Sequence, residues 1–407
     1  MKVLAYTSPA RGHLFPIVPT LEQLAARGHT VAVRTLSSQV ELMSGLGFDA
    51  GPIAPLIEAV EHNDYRGRTP ASAVKLAIAT FGARSAHEVA DLRAAIELYE
   101  PDALLVDCMT WGATAVAEAW GGPWAQWFPY PMPLPSRDVP PFGPGWRPAA
   151  GPLGWIRDAL MRPVLSASFS RVTLPPINEV RASVGVAPFR HSSEMFTTPP
   201  LLLYMTAEPF EYPRSDWPRN VRMVGPCSWD PPAAPPPWLE QLPQPLVMVS
   251  TSSEFQDDGR LVRMTLDALA EEDVSVVATM PTAELRGPVP ANARVEQFIP
   301  HAAILSRAAC AVTHGGAGAT QKALNAGVPV CVVPFGRDQL EVARRVEVSG
   351  AGIYLPRREL RPDRLREAIR EAIDKHDEAR RVAEGYAATG GSAAATDAFE
   401  QLTGGWR

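Results

Sequence analysis

Two polar residues in the first half of the sequence are spaced so that they could move a proton together. His13 closes the polar segment 8–13, which follows the apolar run 3–6, and Asp107 ends the apolar run that begins after Pro101. Both runs have the pattern of buried parallel strands, and ligands gather at the carboxyl edge of such sheets. Histidine is the usual general base, and a carboxylate on its second nitrogen fixes the tautomer. Both side chains could therefore reach one rim of a sheet.

A glycine-rich turn in the second half has the composition of an anion site. The apolar run 310–313 leads into the turn 314–318, which is followed by a predicted helix beginning near residue 319. Glycines let the backbone approach a ligand closely, and the free N–H groups at a helix start attract anions. The turn alone would fit any tight connection between a strand and a helix, so its surroundings decide.

Residues 310–339 as a whole resemble the donor-binding signature of inverting nucleotide-sugar glycosyltransferases. This family includes plant UDP-glycosyltransferases and bacterial antibiotic glycosyltransferases. The matching residues, in order, are His314, Gly315, Gly316, Gly318, Gly327, Val328, Pro329, Asp338 and Gln339. A second match lies at the amino terminus, where a Gly-His turn is followed by Pro16. The resemblance implies that His13 is the catalytic base and that Asp107 is its partner.

The resemblance also implies a set of donor contacts. Phe298 stands where an aromatic ring stacks on the base, Ile299 where backbone groups read the base edge, and His301 follows them. Asp338 and Gln339 would bind sugar hydroxyls. The predicted diphosphate contacts are Ser252, Ser253, His314, Gly315, Gly316, Gly318, Ala319 and Thr320.

Two positions depart from the family pattern. Ala319 replaces a Ser or Thr hydroxyl at the phosphate, a loss for which Thr320 could compensate. Lys322 replaces the Glu that accepts hydrogen bonds from the ribose hydroxyls. A lysine cannot accept a hydrogen bond, so this exchange favours a 2′-deoxyribose donor, that is, a dTDP-sugar over a UDP-sugar. If Lys322 instead points into solvent, it discriminates nothing.

The pattern of apolar runs predicts an α/β chain with two Rossmann-like, doubly wound domains. The resemblance implies that these domains face each other across a cleft, the GT-B arrangement. Composition and pattern divide the chain into a first domain over 1–205, a proline-rich linker over 206–245 and a second domain over 246–388. The resemblance implies that the first domain binds the acceptor and the second the nucleotide-sugar. The resemblance also implies that a segment over 389–407 crosses back to the first domain. Aromatic residues in 121–165, a stretch interpreted as mostly irregular, would line an acceptor site: Trp124, Trp127, Tyr130, Phe142, Trp146 and Trp155.

Composition limits the partners. A net charge of −6 and a pI near 5.8 argue against a nucleic-acid partner. No apolar run approaches the ~20 residues of a membrane-spanning helix. Neither a secretion signal nor a CxxC pair is seen, so a cytoplasmic protein is expected. The expected oligomeric state is a monomer or a homodimer. D-x-D, HExxH and Cys/His clusters are absent from the sequence, which predicts no metal and no cofactor beyond the nucleotide-sugar co-substrate.

The function that these motifs favour is metal-independent, inverting transfer of a hexose to a hydroxyl of a small apolar or aromatic natural product. Two alternatives stay open. A nucleotide-sugar epimerase of the same fold would not need the pair formed by His13 and Asp107. A catalytically silent auxiliary or binding protein would explain the exchanges at Ala319 and Lys322. An NAD-dependent dehydrogenase is disfavoured because the first turn lacks GxGxxG.

Overall fold

The computed structural model describes residues 1–253, 256, 258–282 and 285–405, and its strands form two parallel sheets. The strands of the first sheet are β1 Lys2–Tyr6, β2 Thr30–Thr35, β3 Asp49–Pro52, β4 Ala103–Asp107, β5 Trp124–Phe128, β6 Leu201–Tyr204 and β7 Val221–Met223. Those of the second are β8 Leu246–Ser250, β9 Ser275–Thr279, β10 Ala293–Glu296, β11 Ala308–Thr313, β12 Val330–Val332 and β13 Gly352–Tyr354.

Helices cover both faces of each sheet, which is why the central strands are apolar throughout. The α-helices are α1 Arg11–Ala26, α2 Val40–Gly45, α3 Pro55–Glu58, α4 Pro70–Tyr99, α5 Trp111–Trp120, α6 Pro152–Ser183, α7 Glu194–Thr197, α8 Gly259–Leu269, α9 His301–Leu305, α10 Ala317–Asn325, α11 Gln339–Ser349, α12 Pro362–Ile373, α13 His376–Ala388 and α14 Gly391–Gly404. Short 3₁₀ helices span Ser37–Gln39, Asp64–Arg66, Pro237–Gln241 and Arg357–Glu359. None of the described helices is long and apolar enough to cross a membrane.

The strand order places the ligand-binding edges. The first sheet runs β3-β2-β1-β4-β5-β6-β7 and the second β10-β9-β8-β11-β12-β13. In each sheet the order reverses between two neighbouring strands, β1 and β4 in the first and β8 and β11 in the second. Ligands of doubly wound sheets bind outside the carboxyl ends of the strands at this switch point. The predicted fold class, two Rossmann-like domains facing a cleft, is confirmed.

Two stretches differ from the sequence-based expectation. Strand β5 and the start of α6 lie within 121–165, which was interpreted as irregular because of its prolines and glycines. Trp124 and Trp127 are consequently buried sheet residues rather than parts of an acceptor wall. Strand β7 lies inside the predicted linker 206–245 and pairs with β6 at the sheet edge, the one sheet position that a proline-rich segment tolerates.

The carboxyl-terminal helix α14 packs against the first domain. Phe399 is fully buried in the core formed by β1, β2 and α1. Arg27 at the end of α1 donates to Asp397 at 2.6 Å and to Glu400 at 2.7 Å. The last helix of the chain therefore extends the first domain, although it follows the second in sequence.

A buried ionic network fixes the two domains relative to each other. Arg345 on α11 donates to Glu211 at 2.9 and 3.1 Å and to Glu341 at 3.1 Å, and the side chains of all three are at most 5% exposed. Glu341 in turn accepts from the backbone N–H groups of Gly143 and Gly145 at 2.8 and 3.0 Å. Because Gly143 and Gly145 belong to the loop after β5, α11 of the second domain is anchored to the first.

Candidate active site

The structure brings His13 and Asp107 together. His13 Nδ1 lies 2.8 Å from Asp107 Oδ1, which also accepts from the Met109 N–H at 3.0 Å. The second oxygen accepts from the Ser8 N–H at 2.9 Å and from the Ser8 hydroxyl at 2.5 Å. Asp107 is fully buried, so these four donors replace the water that a carboxylate would otherwise need. Ser8 was not among the predicted site residues, although its place in the polar loop after the first strand is a signal in the sequence.

These donors set the state of the pair. Burial by itself would raise the pKa of Asp107, but the attraction and hydrogen bond of His13, with the Ser8 and Met109 donors, outweigh it and lower that pKa. The carboxylate is therefore ionised at neutral pH and accepts a hydrogen bond from the N–H at Nδ1 of His13. The neutral ring then carries its lone pair on Nε2.

His13 lies on a helix and not on the predicted loop, because α1 begins at Arg11. The Trp127 ring N–H donates to the carbonyl of His13 at 3.0 Å and fixes this first helical turn against β5. The ring of Tyr130 lies with its centroid 5.6 Å from that of His13. The imidazole is therefore held on a rigid element at the switch point of the first sheet.

His13, Asp107 and Cys108 are close enough together to be considered as metal ligands. Burial raises the pKa of the Cys108 thiol well above its usual value, so the sulfur stays protonated and is a poor ligand. Asp107 already accepts four hydrogen bonds. The chemistry of this trio fits a hydrogen-bonded base better than a metal centre.

Across the cleft, the start of α10 offers unpaired backbone donors. The helix begins at Ala317 without a side-chain cap, so its first N–H groups have no partner within the helix. Gly315 has a φ of 88°, and a Cβ on Gly316 would lie 2.3 Å from His314 Nε2. Burial lowers the pKa of His314, which keeps this ring neutral. Gly316, Gly318 and Ala319, three of the predicted diphosphate contacts, line the cleft beside it.

Several predicted donor contacts have other partners in the structure. Thr320 is fully buried and its hydroxyl pairs with Thr313 at 2.9 Å, so it does not compensate for Ala319. The Ser252 N–H donates to Asp258 at 2.7 Å, while Ser253 is exposed at the cleft. The side chain of Ile299 lies in the core of the second domain, which leaves untouched the prediction that its backbone reads the base edge.

Gln339 also has internal partners. Its amide oxygen accepts from the N–H groups of Phe335 and Gly336 at 2.7 and 3.0 Å, and its amide nitrogen donates to Gln256 at 2.7 Å. The side chain predicted to bind sugar hydroxyls thus shapes the loop that carries Asp338. Two residues of the predicted base end do face the cleft: Phe298, which is 48% exposed, and His301.

Lys322 neither points into solvent nor faces the cleft as a lone cation. Its ammonium donates to Asp230 Oδ1 at 2.6 Å and to the Trp229 carbonyl at 2.7 Å. A carboxylate from the segment between the sheets therefore lies beside the lysine that replaces the family's Glu. The sequence-based reason for a deoxyribose preference, the lack of an acceptor at this place, is wrong.

Asp338 brings a second carboxyl group to the cleft. Burial raises its pKa to about 6, although its own backbone N–H, Arg337 and His13 oppose the rise. Arg337 itself donates to Asp64 of the first domain through two bonds of 2.9 Å. The loop before α11 is thereby tied across the cleft, with Asp338 on the side of His13.

The cleft between the domains has a volume of about 1790 Å³. Its first-domain half is lined by an apolar cluster from α4, α5, α6 and the following loop: Ile78, Phe81, Trp111, Ile177 and Phe189. Of the predicted aromatic wall, Tyr130 and Phe142 do line the cleft, whereas Trp155 is exposed on α6. Residues 74, 77, 78 and 81 have helical spacing, the sequence signal that could have identified this wall.

The fold and the site together are those of a GT-B glycosyltransferase. Such an enzyme has two Rossmann-like domains, with a histidine–carboxylate pair on one rim of the cleft and an uncapped helix start on the other. Comparisons with known proteins agree. Residues 263–395 match the model of the Erythromycin biosynthesis protein CIII-like C-terminal domain. The chain is 35% identical over 419 residues to the 4′-demethylrebeccamycin synthase of Lentzea aerocolonigenes, covering 98% of this chain and 99% of that protein. It belongs to the bacterial natural-product glycosyltransferases and is an enzyme of that class.

Solved structures show the same fold. The glycotransferase of kitacinnamycin superposes with a TM-score of 0.74 at 22% identity over 98% of each chain. The glycosyltransferase VinC, solved in complex with dTDP, superposes with a TM-score of 0.70 at 24% identity over 99% of each chain.

The raised pKa of Asp338 predicts a pH-dependent effect of Asp338→Asn. With a pKa of about 6 when folded and an ordinary value of 3.8, ionisation of this carboxyl group opposes folding. The resulting loss of stability is absent below about pH 4, grows until about pH 6 and is constant above. We expect the Tm of Asp338→Asn minus that of the wild type to rise over this window and then level off. Asp377→Asn, at a side chain that is 93% exposed, is the control. A difference independent of pH would contradict the assignment.

Proposed function

We propose that the protein transfers a hexose from a dTDP-sugar to a hydroxyl of an apolar or aromatic natural-product aglycone, with inversion at the anomeric carbon. The observation that carries this proposal is the pair formed by His13 and Asp107 on the first-domain rim of the cleft, facing the anion-binding start of α10. Base and leaving-group stabiliser thus come from different domains, and the reacting atoms meet between them.

In the proposed reaction, His13 Nε2 removes the proton of the acceptor hydroxyl as its oxygen attacks the anomeric carbon. The bond from that carbon to the diphosphate breaks on the opposite face, so a single displacement inverts the configuration. Asp107 stabilises the imidazolium that forms, as carboxylates do in hydrolase triads. The free N–H groups of α10 stabilise the charge that develops on the departing diphosphate.

The nature of both substrates is part of the proposal. The apolar cluster of the first-domain half offers large, flat contacts to an aromatic acceptor. A dTDP donor is supported by VinC, whose structure of the same fold was solved with that nucleotide. The donor would sit in the second domain, with its base on Phe298 and its diphosphate at α10.

A nucleotide-sugar epimerase and a silent binding protein were the alternatives. The hydrogen-bonded base argues for transfer over epimerisation, since an epimerase would not need it. Ala319 removes a hydroxyl but leaves the backbone donors of α10 in place, so the departures from the motif do not require a silent protein.

The first test concerns the base. His13→Ala should reduce kcat about 10²- to 10⁴-fold with a hydroxyl acceptor, while affinity for the nucleotide changes little because that site lies in the other domain. Asp107→Asn should lose less, because Asp107 orients the ring and does not take the proton. The measurement is release of nucleoside diphosphate from dTDP-sugars with phenolic or polyketide acceptors. His376→Ala, at an exposed helix start, is the control. Wild-type kcat in His13→Ala would refute the assignment.

A second test concerns metal ions. We propose that backbone donors and His314, rather than a divalent cation, meet the diphosphate. Dialysis against EDTA should therefore leave turnover unchanged. Loss of activity that Mg²⁺ or Mn²⁺ restores would reveal a metal requirement.

A third test concerns the nucleotide. Because VinC, which has the same fold, was solved with dTDP, we expect dTDP to bind more tightly than UDP in calorimetric titrations. We also expect dTDP-hexoses to be turned over faster than the matching UDP-hexoses. Deoxyuridine diphosphate separates the contribution of the base methyl group from that of the 2′-hydroxyl. Tighter binding of UDP would overturn the dTDP assignment and leave the transfer chemistry intact.

A further inference from the structure

Asp230 and Lys322 form a pair on the wall of the donor half of the cleft. Their side chains are 13% and 17% exposed, and the ammonium lies 2.6 Å from Asp230 Oδ1. The two residues are 92 positions apart, one on the segment between the sheets and the other on α10. Both line the cleft. Although Asp230 and Lys322 are largely shielded from solvent, they border the cleft and could contact a ligand that binds in its donor half.

A second contact fixes the other oxygen of the carboxylate. Asp230 Oδ2 accepts from the Ala302 N–H at 2.9 Å, within the first turn of α9. Burial would raise the pKa of Asp230, but the attraction and hydrogen bond of Lys322, with the Ala302 donor, lower it. Among the residues that the structure describes, each oxygen has one hydrogen-bond partner, and a carboxylate can accept about four hydrogen bonds in all. Asp230 therefore keeps capacity for further donors.

The two contacts place Asp230 between the parts of the cleft assigned to base and diphosphate. Ala302 is four residues after Phe298, the exposed ring proposed to stack on the base. Lys322 is five residues after Ala317, the first residue of the helix whose free N–H groups face the diphosphate. In a nucleoside diphosphate, the pentose lies between these two groups.

We propose that Asp230 accepts a hydrogen bond from the 3′-hydroxyl of the donor pentose and that Lys322 is a positioning residue for this carboxylate. The inference rests on the proposed donor site in the second domain. It assigns nucleotide recognition to a residue outside that domain's own motif. His301, whose pKa burial lowers to about 4, stays neutral beside the pair, so the ammonium of Lys322 is the cation that the carboxylate faces.

The test compares two probes that differ in one hydroxyl: thymidine 5′-diphosphate and 2′,3′-dideoxythymidine 5′-diphosphate. A hydrogen bond to a charged acceptor corresponds to about 10- to 100-fold in affinity. The wild type should therefore bind the first probe more tightly than the second by that factor in calorimetry. In Asp230→Asn the ratio should fall several-fold through loss of affinity for the first probe alone. Affinity for the dideoxy probe reports whether the site is intact.

Further variants control for the buried charge. Asp230→Ala combined with Lys322→Met removes both charges, so no ammonium is left unpaired, and its ratio should approach one. Lys322→Met alone should lower the ratio, because the carboxylate loses its anchor, whereas a merely structural lysine would weaken both probes equally. Asp377→Asn should keep the wild-type ratio.

The outcomes separate this inference from the proposed function. A wild type that binds neither probe would overturn the donor site itself. A wild type that binds both, with the same ratio as the Asp230 variants, would overturn only the role of Asp230.

Discussion

The buried ion pair between Arg345 and Glu211 is the constraint on which the geometry of the cleft depends. It joins α11 of the second domain to the connection between β6 and β7 of the first sheet, and Glu341 extends it to the loop after β5. Burial raises the pKa of Glu211 by itself, but Arg345 and Arg214 reverse the effect and lower it, so the group stays charged. Removing one member of such a pair costs about 3–5 kcal/mol, because the other charge is left buried and unpaired. The domain orientation thus depends on a contact for which the loss of either partner is strongly destabilising.

The chemistry depends on that orientation because neither domain holds a complete site. The first sheet supplies the base at its switch point, between β1 and β4, and the second supplies the anion site between β8 and β11. Asp338 precedes α11, so the helix that carries Arg345 also sets the distance from this carboxyl group to His13. The ionic network and the active site therefore share one rigid element, and a shift of α11 would change both.

The sequence predicted those parts of the protein that depend on local pattern. Parallel strands covered on both faces are continuous apolar runs, so β4, β8 and β11 could be recognised, and with them the positions of Asp107 and His314. Strand β5 and helix α6 were missed because prolines and glycines surround or interrupt them, and packing outweighed those local signals. Contacts between distant residues carry no local signal at all. Arg345 and Glu211 are 134 positions apart, and Lys322 and Asp230 are 92.

The proline-rich stretch 206–245, which contains β7 and the connection to the second sheet, has a role that composition alone would not suggest. Prolines there keep the chain extended and limit its freedom in the unfolded state, which suits a connection that must hold its residues in place. The same segment carries Glu211, which orients the domains, and Asp230, which borders the donor half of the cleft. Lys322 is an anomaly only when α10 is considered by itself. Lys322 replaces an acidic residue of the family motif, but the carboxylate of Asp230 lies beside it, so a hydrogen-bond acceptor remains at this position of the cleft. That acceptor comes from the same proline-rich stretch that determines how the domains face each other.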